Sequence, residues 1–150
     1  MYDLPDNFNP VVFEGGCLEK ISFGVGTIHL DFELNPMLTP GNSKPASIVS
    51  LSYVKLRLQD VEYKIAVGEY ADIAKLGLLL NESVTKATLL GRRKIILNFG
   101  EDRAIELEED GSGLNAMKFI FPVLVKFMSN PHRQACIRDA QPGSQEGLRE

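Results

Sequence analysis

A chain of 150 residues with 44% hydrophobic and 24% charged side chains has the make-up of one soluble globular domain, which excludes a disordered, collagen-like or fibrous chain. Lys and Arg number 16 and Asp and Glu 20, and the resulting net charge of −4 gives no support to a bulk basic surface for nucleic acid. Two cysteines cannot make a disulfide scaffold, so Cys17 and Cys136 are expected as free thiols in a reducing cytoplasm.

The first residues, Met1-Tyr2-Asp3-Leu4-Pro5-Asp6, lack the basic start and apolar run of a secretory signal. The longest apolar stretches, 76–80 and 119–125, fall far short of the roughly 20 residues that span a bilayer. No membrane span is expected. Residues 1–75 hold 6 basic and 10 acidic groups and residues 76–150 hold 10 of each, so the acidic excess lies in the first half.

Two-residue alternation is the dominant pattern along the chain, and it marks strands with one buried face. Ile21 and Phe23 alternate with Lys20 and Ser22. Ile28, Leu30, Phe32 and Leu34 alternate with His29, Asp31 and Glu33, and Gly24-Val25-Gly26 makes the hairpin turn between the two runs. Residues 35–46, with three Pro and one Gly, read as a loop. Val49, Leu51 and Tyr53 then occupy odd positions, whereas Val54, Leu56 and Leu58 occupy even ones. This change of phase predicts a β-bulge near Tyr53-Val54. Gln59-Asp60 turns the chain into Val61, Tyr63, Ile65 and Val67.

Helical spacing appears in residues 69–80, where Ile73, Leu76 and Leu80 share a face; Gly77 shortens the helix and Asn81 stops it. The clearest hairpin follows. Ile95, Leu97 and Phe99 lead through Gly100-Glu101-Asp102 to Ile105 and Leu107. Residues 109–113 are a loop. Met117, Phe119 and Phe121 alternate in a strand that Pro122 ends or confines to an edge. Residues 123–128 fit strand or helix, Asn130-Pro131 opens a short helix over 132–140, and 141–150 form a disordered tail. The expected fold is α+β, mainly antiparallel strands in hairpins or meanders with one or two short helices, as a single β-rich domain over 1–140.

Residues 20–32 (KISFGVGTIHLDF) and 86–99 (KATLLGRRKIILNF) share a plan: a Lys start, a Gly-containing turn, and an Ile, Leu, Phe finish, the second copy being one residue longer. Two such units would pack as halves of one sheet or sandwich. Two amphipathic hairpins that merely look alike give the same pattern.

Few arrangements suit chemistry. Gly24 and Gly26 match the first glycines of a dinucleotide fingerprint, but His29 stands where the third belongs and a strand follows instead of a helix. There is no Walker A sequence. Arg92, Arg93 and Lys94 are the densest basic spot and could meet a phosphate or an acidic partner, or sit solvated in a turn. His132 and Cys136 at i and i+4 would complete a set with Cys17 and His29, but zinc sites usually show close Cys pairs, so no metal and no cofactor is expected. Gly111-Ser112-Gly113 is not a nucleophile elbow. The carboxylate pairs Asp31/Glu33 and Glu106/Glu108 fall on exposed faces, where acid–base catalysis lacks the buried, raised carboxyl it needs. Glu106, Glu108, Glu109 and Asp110, joined by Asp31 and Glu33, could form one acidic face that steers a basic partner.

Residues 84–121 resemble the closing segment of small β-rich bacterial immunity-type proteins of polymorphic toxin systems. There a strand pair of the form L-x-L-x-F-x-D-G leads through an acidic strand to an aromatic one; here Ile95-Ile96-Leu97-Asn98-Phe99 is followed by Gly100-Glu101-Asp102 in place of Asp-Gly. Asn115-Ala116-Met117-Lys118-Phe119 lacks the Glu and Trp often found in the aromatic strand, and residues 17–34 match as a first copy. The resemblance implies a non-catalytic cytoplasmic protein that binds and neutralises a toxin by occlusion, and a basic toxin is the expected partner. The alternatives are a small-ligand-binding or enzymatic β domain, and a structural subunit that oligomerises through 117–127.

Overall fold

The computed structural model describes residues 8–39, 46–69, 71–91, 93–108 and 117–120, with only the backbone of the last four. After a 3-10 turn at Pro10–Phe13, the chain forms β1 (Cys17–Gly24), β2 (Thr27–Glu33), β3 (Ala46–Ser50), β4 (Tyr53–Leu58) and β5 (Val61–Ala66). A short helix α1 (Ile73–Leu76) runs into a 3-10 turn at Gly77–Leu79. Then come β6 (Lys86–Leu90), β7 (Lys94–Asn98), β8 (Arg103–Glu108) and β9 (Met117–Ile120). The strands make two antiparallel sheets, ordered β1-β2-β3-β9 and β5-β4-β8-β7-β6. This is the expected β-rich α+β fold, with one short α-helix among the described residues.

The alternating side chains become the core. Ile28, Leu30 and Phe32 from the first sheet join Val54, Leu56, Ile95, Leu97, Ile105 and Leu107 from the second in one buried cluster. Phe13 and Phe32 meet edge to face in it, with ring centroids 5.2 Å apart. Burial of such side chains, at roughly 1.5–3 kcal/mol each, is the main force holding the sheets together.

Two expectations change in the structure. The change of phase at Tyr53-Val54 is not a bulge. β3 and β4 belong to different sheets, and the chain passes between them through Leu51 and Ser52. The bulge lies in β1, where the register shifts between Leu18 and Lys20. Glu19 is the extra residue, so Leu18 and Ile21, three apart, fall opposite the inward Phe32 and Leu30. In the helical segment, Leu76 and Leu79 are fully buried while Leu80 is exposed. The 3-10 turn brings i and i+3 into line, which replaces the expected i+7 partner. Asn81 stops the segment at φ 64°, as expected.

The two similar hairpins fall in different sheets, β1–β2 in one and β6–β7 in the other. Their connections, Val25-Gly26 and residues 91–93, differ by the one residue that separates the two sequences. β1-β2-β3 and β6-β7-β8 are both three-stranded meanders. Each is extended by the strand that follows the other, since β4 pairs with β8 and β9 with β3. Among the described strands β9 lies at a sheet edge, one of the two outcomes expected from Pro122. The 109–113 loop, the strand or helix at 123–128, the helix at 132–140 and the tail at 141–150 fall outside the described residues. Among the described residues no helix is long and apolar enough to cross a membrane.

Candidate functional site

A patterned surface lies on the side of the five-stranded sheet turned away from the core. Strand alternation that sends Val54, Leu56, Ile105 and Leu107 inward sends Lys55, Arg57, Glu106 and Glu108 outward. The register then sets the neighbours. One rung reads Glu62, Arg57, Ala104, Asn98, Lys86 across β5-β4-β8-β7-β6, and the next reads Lys64, Lys55, Glu106, Ile96, Thr88. Charges of both signs share this face.

Contacts tie the charges down. Lys94 Nζ lies 2.6 Å from Glu106 Oε2, and Lys55 Nζ lies 3.9 Å from Glu108 Oε2. Lys64 stands over the Tyr53 ring at 4.3 Å from its centroid. The Arg57 Nη2 donates to Asn98 Oδ1 across Ala104 at 3.3 Å, while the buried Arg57 Nε has no hydrogen-bond partner among the described residues.

The hydrogen bond to Glu106 is the main reason the Lys94 pKa is raised above the usual lysine value. Partial burial opposes it, and the charges of Glu106, Glu108 and Glu62 add to it. A raised folded-state pKa means that this stabilisation is present below the ordinary lysine pKa of about 10.4 and is lost as pH rises through the folded value. A double-mutant cycle on Lys94→Met and Glu106→Gln is expected to give a coupling of up to about 1 kcal/mol at neutral pH. Urea denaturation should show that coupling falling as pH is raised past the ordinary lysine range; a coupling that grew there would contradict the pairing.

The expected acidic face does not assemble as one surface. Asp31 and Glu33 lie on β2 in the four-stranded sheet, while Glu106 and Glu108 lie on β8 in the other. Asp31 accepts a hydrogen bond from Ser47 Oγ, and Glu33 accepts one from Cys17 Sγ at 3.6 Å. Of the basic triplet, Lys94 is not part of the turn but belongs to β7 and pairs with Glu106; Arg93 is exposed in the turn. Arg92, Glu109, Asp110, His132 and Cys136 lie outside the described residues. Alternation identified the acidic strand, but its cations Lys55 and Lys94 come from separate stretches of chain, so their proximity had no local signal. Arg57 and Asn98 were missed for the same reason.

The four-stranded sheet offers less. His29 Nε2 and Thr27 Oγ1 are 3.1 Å apart, and Gly24 leaves them room, since a Cβ there would come within 2.5 Å of Thr27 Oγ1. Partial burial, and after it the neighbouring Glu33 carboxylate, push the Cys17 thiol up, which opposes the thiolate that nucleophilic chemistry uses. Among the described residues no group of three or more His, Cys, Asp or Glu is placed to hold a metal ion. No family model matches the chain, and neither a curated protein nor a solved structure matches it.

Proposed function

We propose that this chain is a non-catalytic cytoplasmic binding protein of the toxin-neutralising, immunity type, and that the outer face of the five-stranded sheet is its contact surface. The observation that carries this reading is the Arg57 guanidinium, set among fixed charges of both signs with a buried Nε that has no acceptor among the described residues. A buried donor without a partner costs roughly 1–3 kcal/mol. Turning the guanidinium toward a partner's carboxylate would remove that cost, and arginine is a frequent anchor in protein interfaces. The segment that carries the resemblance to immunity-type proteins supplies β6, β7 and β8 of this face. The partner is a toxin whose basic groups compete for Glu106 and Glu108 and which offers an acceptor to Arg57. The reading involves no cofactor.

The test is affinity capture from the native host with three forms: the natural chain, Arg57→Ala/Glu106→Lys, and Lys20→Glu on the other sheet. Circular dichroism checks that each is folded. The natural chain and Lys20→Glu should retain one basic protein in equal molar amount, and Arg57→Ala/Glu106→Lys should lose it. That protein should arrest growth unless co-expressed with this chain. Equal capture by all three forms, or a harmless captured protein, would overturn the proposal.

A further inference from the structure

The two sheets have four edges, and the described residues occupy them unequally. On β6, Glu14 Oε1 accepts from Ala87 N, and the neighbouring Val84 O accepts from Gly15 N. The start of β1 is held by residues 81–83, through Leu18 N to Glu82 O, Asn81 N to Leu18 O, and a bridge from Cys17 to Ser83. β9 is placed by its backbone alone. Among the described residues the remaining edge is β5, which has β4 as its one strand neighbour.

The parity of β5 is fixed. Val67 N donates to Ser52 O at 2.8 Å, and Leu58 faces Val61 across a two-residue turn. In an antiparallel pair, hydrogen-bonded and non-bonded rungs alternate, so Val61, Tyr63 and Ile65 bond to β4 while Glu62 and Lys64 direct their N–H and C=O groups to the open edge. Ala66 O, which shares that parity, is already taken by Glu69 N. The side chains of Glu62 and Lys64 are exposed, and neither forms an ion pair among the described residues. Lys64 stands directly opposite Lys55, an unfavourable like-charge rung.

We propose that β5 is a self-association edge: two copies of this chain pair their β5 strands antiparallel about a two-fold axis through Tyr63, with Glu62 of each opposite Lys64 of the other. Parity and charge select this register. A two-fold axis between residues would match an outward residue with an inward one, which the ladder forbids. An axis through Glu62 opposes two glutamates, and one through Lys64 opposes two lysines. The axis through Tyr63 makes both outer rungs Glu-to-Lys and places a carboxylate beside the Lys55–Lys64 pair. It also sets Val61, which is 50% exposed, opposite Ile65 of the second copy. The contact is isologous and closes at two copies. It joins two five-stranded sheets into one of ten strands, with both outer faces on the same side. It uses a different edge from residues 117–127 and does not depend on the function proposed above.

Charged residues on an edge strand also serve to prevent pairing, and the experiment separates the two roles. Sedimentation velocity over a micromolar-to-millimolar dilution series should show a monomer–dimer equilibrium for the natural chain. Glu62→Lys should raise the dissociation constant by about tenfold or more, since both rungs become repulsive. Glu62→Lys/Lys64→Glu should restore it, with the thermal midpoint of each form as the check on folding. A monomer at every concentration, a dimer indifferent to Glu62→Lys, or a folded double variant that does not re-associate would overturn the proposal.

Discussion

Phe32→Ala is expected to cost about 3–5 kcal/mol of folding stability, the range for deleting a fully buried aromatic side chain. Phe32 has no exposed surface and sits on the middle strand of the meander, opposite Leu18 on one side and Ala46 on the other. The small Ala46 side chain leaves the ring its space. The edge-to-face contact with Phe13 then ties the 3-10 turn to the first sheet. Such ring pairs contribute about 0.5–1.5 kcal/mol beyond area burial. A domain is stable by only about 5–15 kcal/mol, so this one truncation removes a large share. Urea denaturation should show a lower midpoint with little change in slope. A loss of less than about 1 kcal/mol would mean that the core collapses around the site or that Phe13 does not pack there.

The hairpin from β7 to β8 was readable in full because everything that defines it is local. Ile95, Leu97 and Phe99 are all buried, the turn at 100–102 is where the apolar runs break, and Ile105 and Leu107 return on the same face. The pass from β3 to β4 shows where that reasoning stops. A bulge and a change of sheet both shift the alternation by one, and nothing near Tyr53 distinguishes them. The real bulge at Glu19 has no such signal, because Leu18 precedes the alternating run of Lys20 to Phe23. The charged face follows the same logic. Glu106 and Glu108 were visible as an acidic strand, but whether they form an anionic surface depends on β4 and β7, which supply Lys55 and Lys94. Pairings between β4 and β8, or β3 and β9, span about fifty residues or more of chain and are decided by packing, so the face changed from acidic to mixed only when the strand order was known.

Gly16→Ala is expected to destabilise the fold by about 3 kcal/mol, at the upper end for overpacking, although its backbone needs no glycine conformation. The reason is a close approach of two backbones. A Cβ on Gly16 would lie 2.1 Å from the Glu33 carbonyl oxygen and 3.2 Å from both Glu33 C and Leu34 Cα. None of these atoms belongs to a flexible side chain. The Gly16 backbone cannot back away cheaply, because its N–H donates to Phe13 O and its carbonyl accepts from Val84 N at 2.8 Å, while Gly15 N donates to Val84 O. Relief therefore means separating the start of β1 from the end of β2, or releasing the 83–84 segment that closes the first edge. Gly26 is the control. It has φ 71° but open space around a Cβ, so Gly26→Ala should cost only the left-handed strain of about 1–2 kcal/mol. Thermal melts should rank Gly16→Ala below Gly26→Ala, with a fall of roughly 6–12 °C for the former at this chain length. Amide hydrogen exchange at Val84 should quicken in Gly16→Ala and stay unchanged in Gly26→Ala. Equal melting points for the two variants would show that β1 and β2 part more easily at this end than the contact with the Glu33 carbonyl implies.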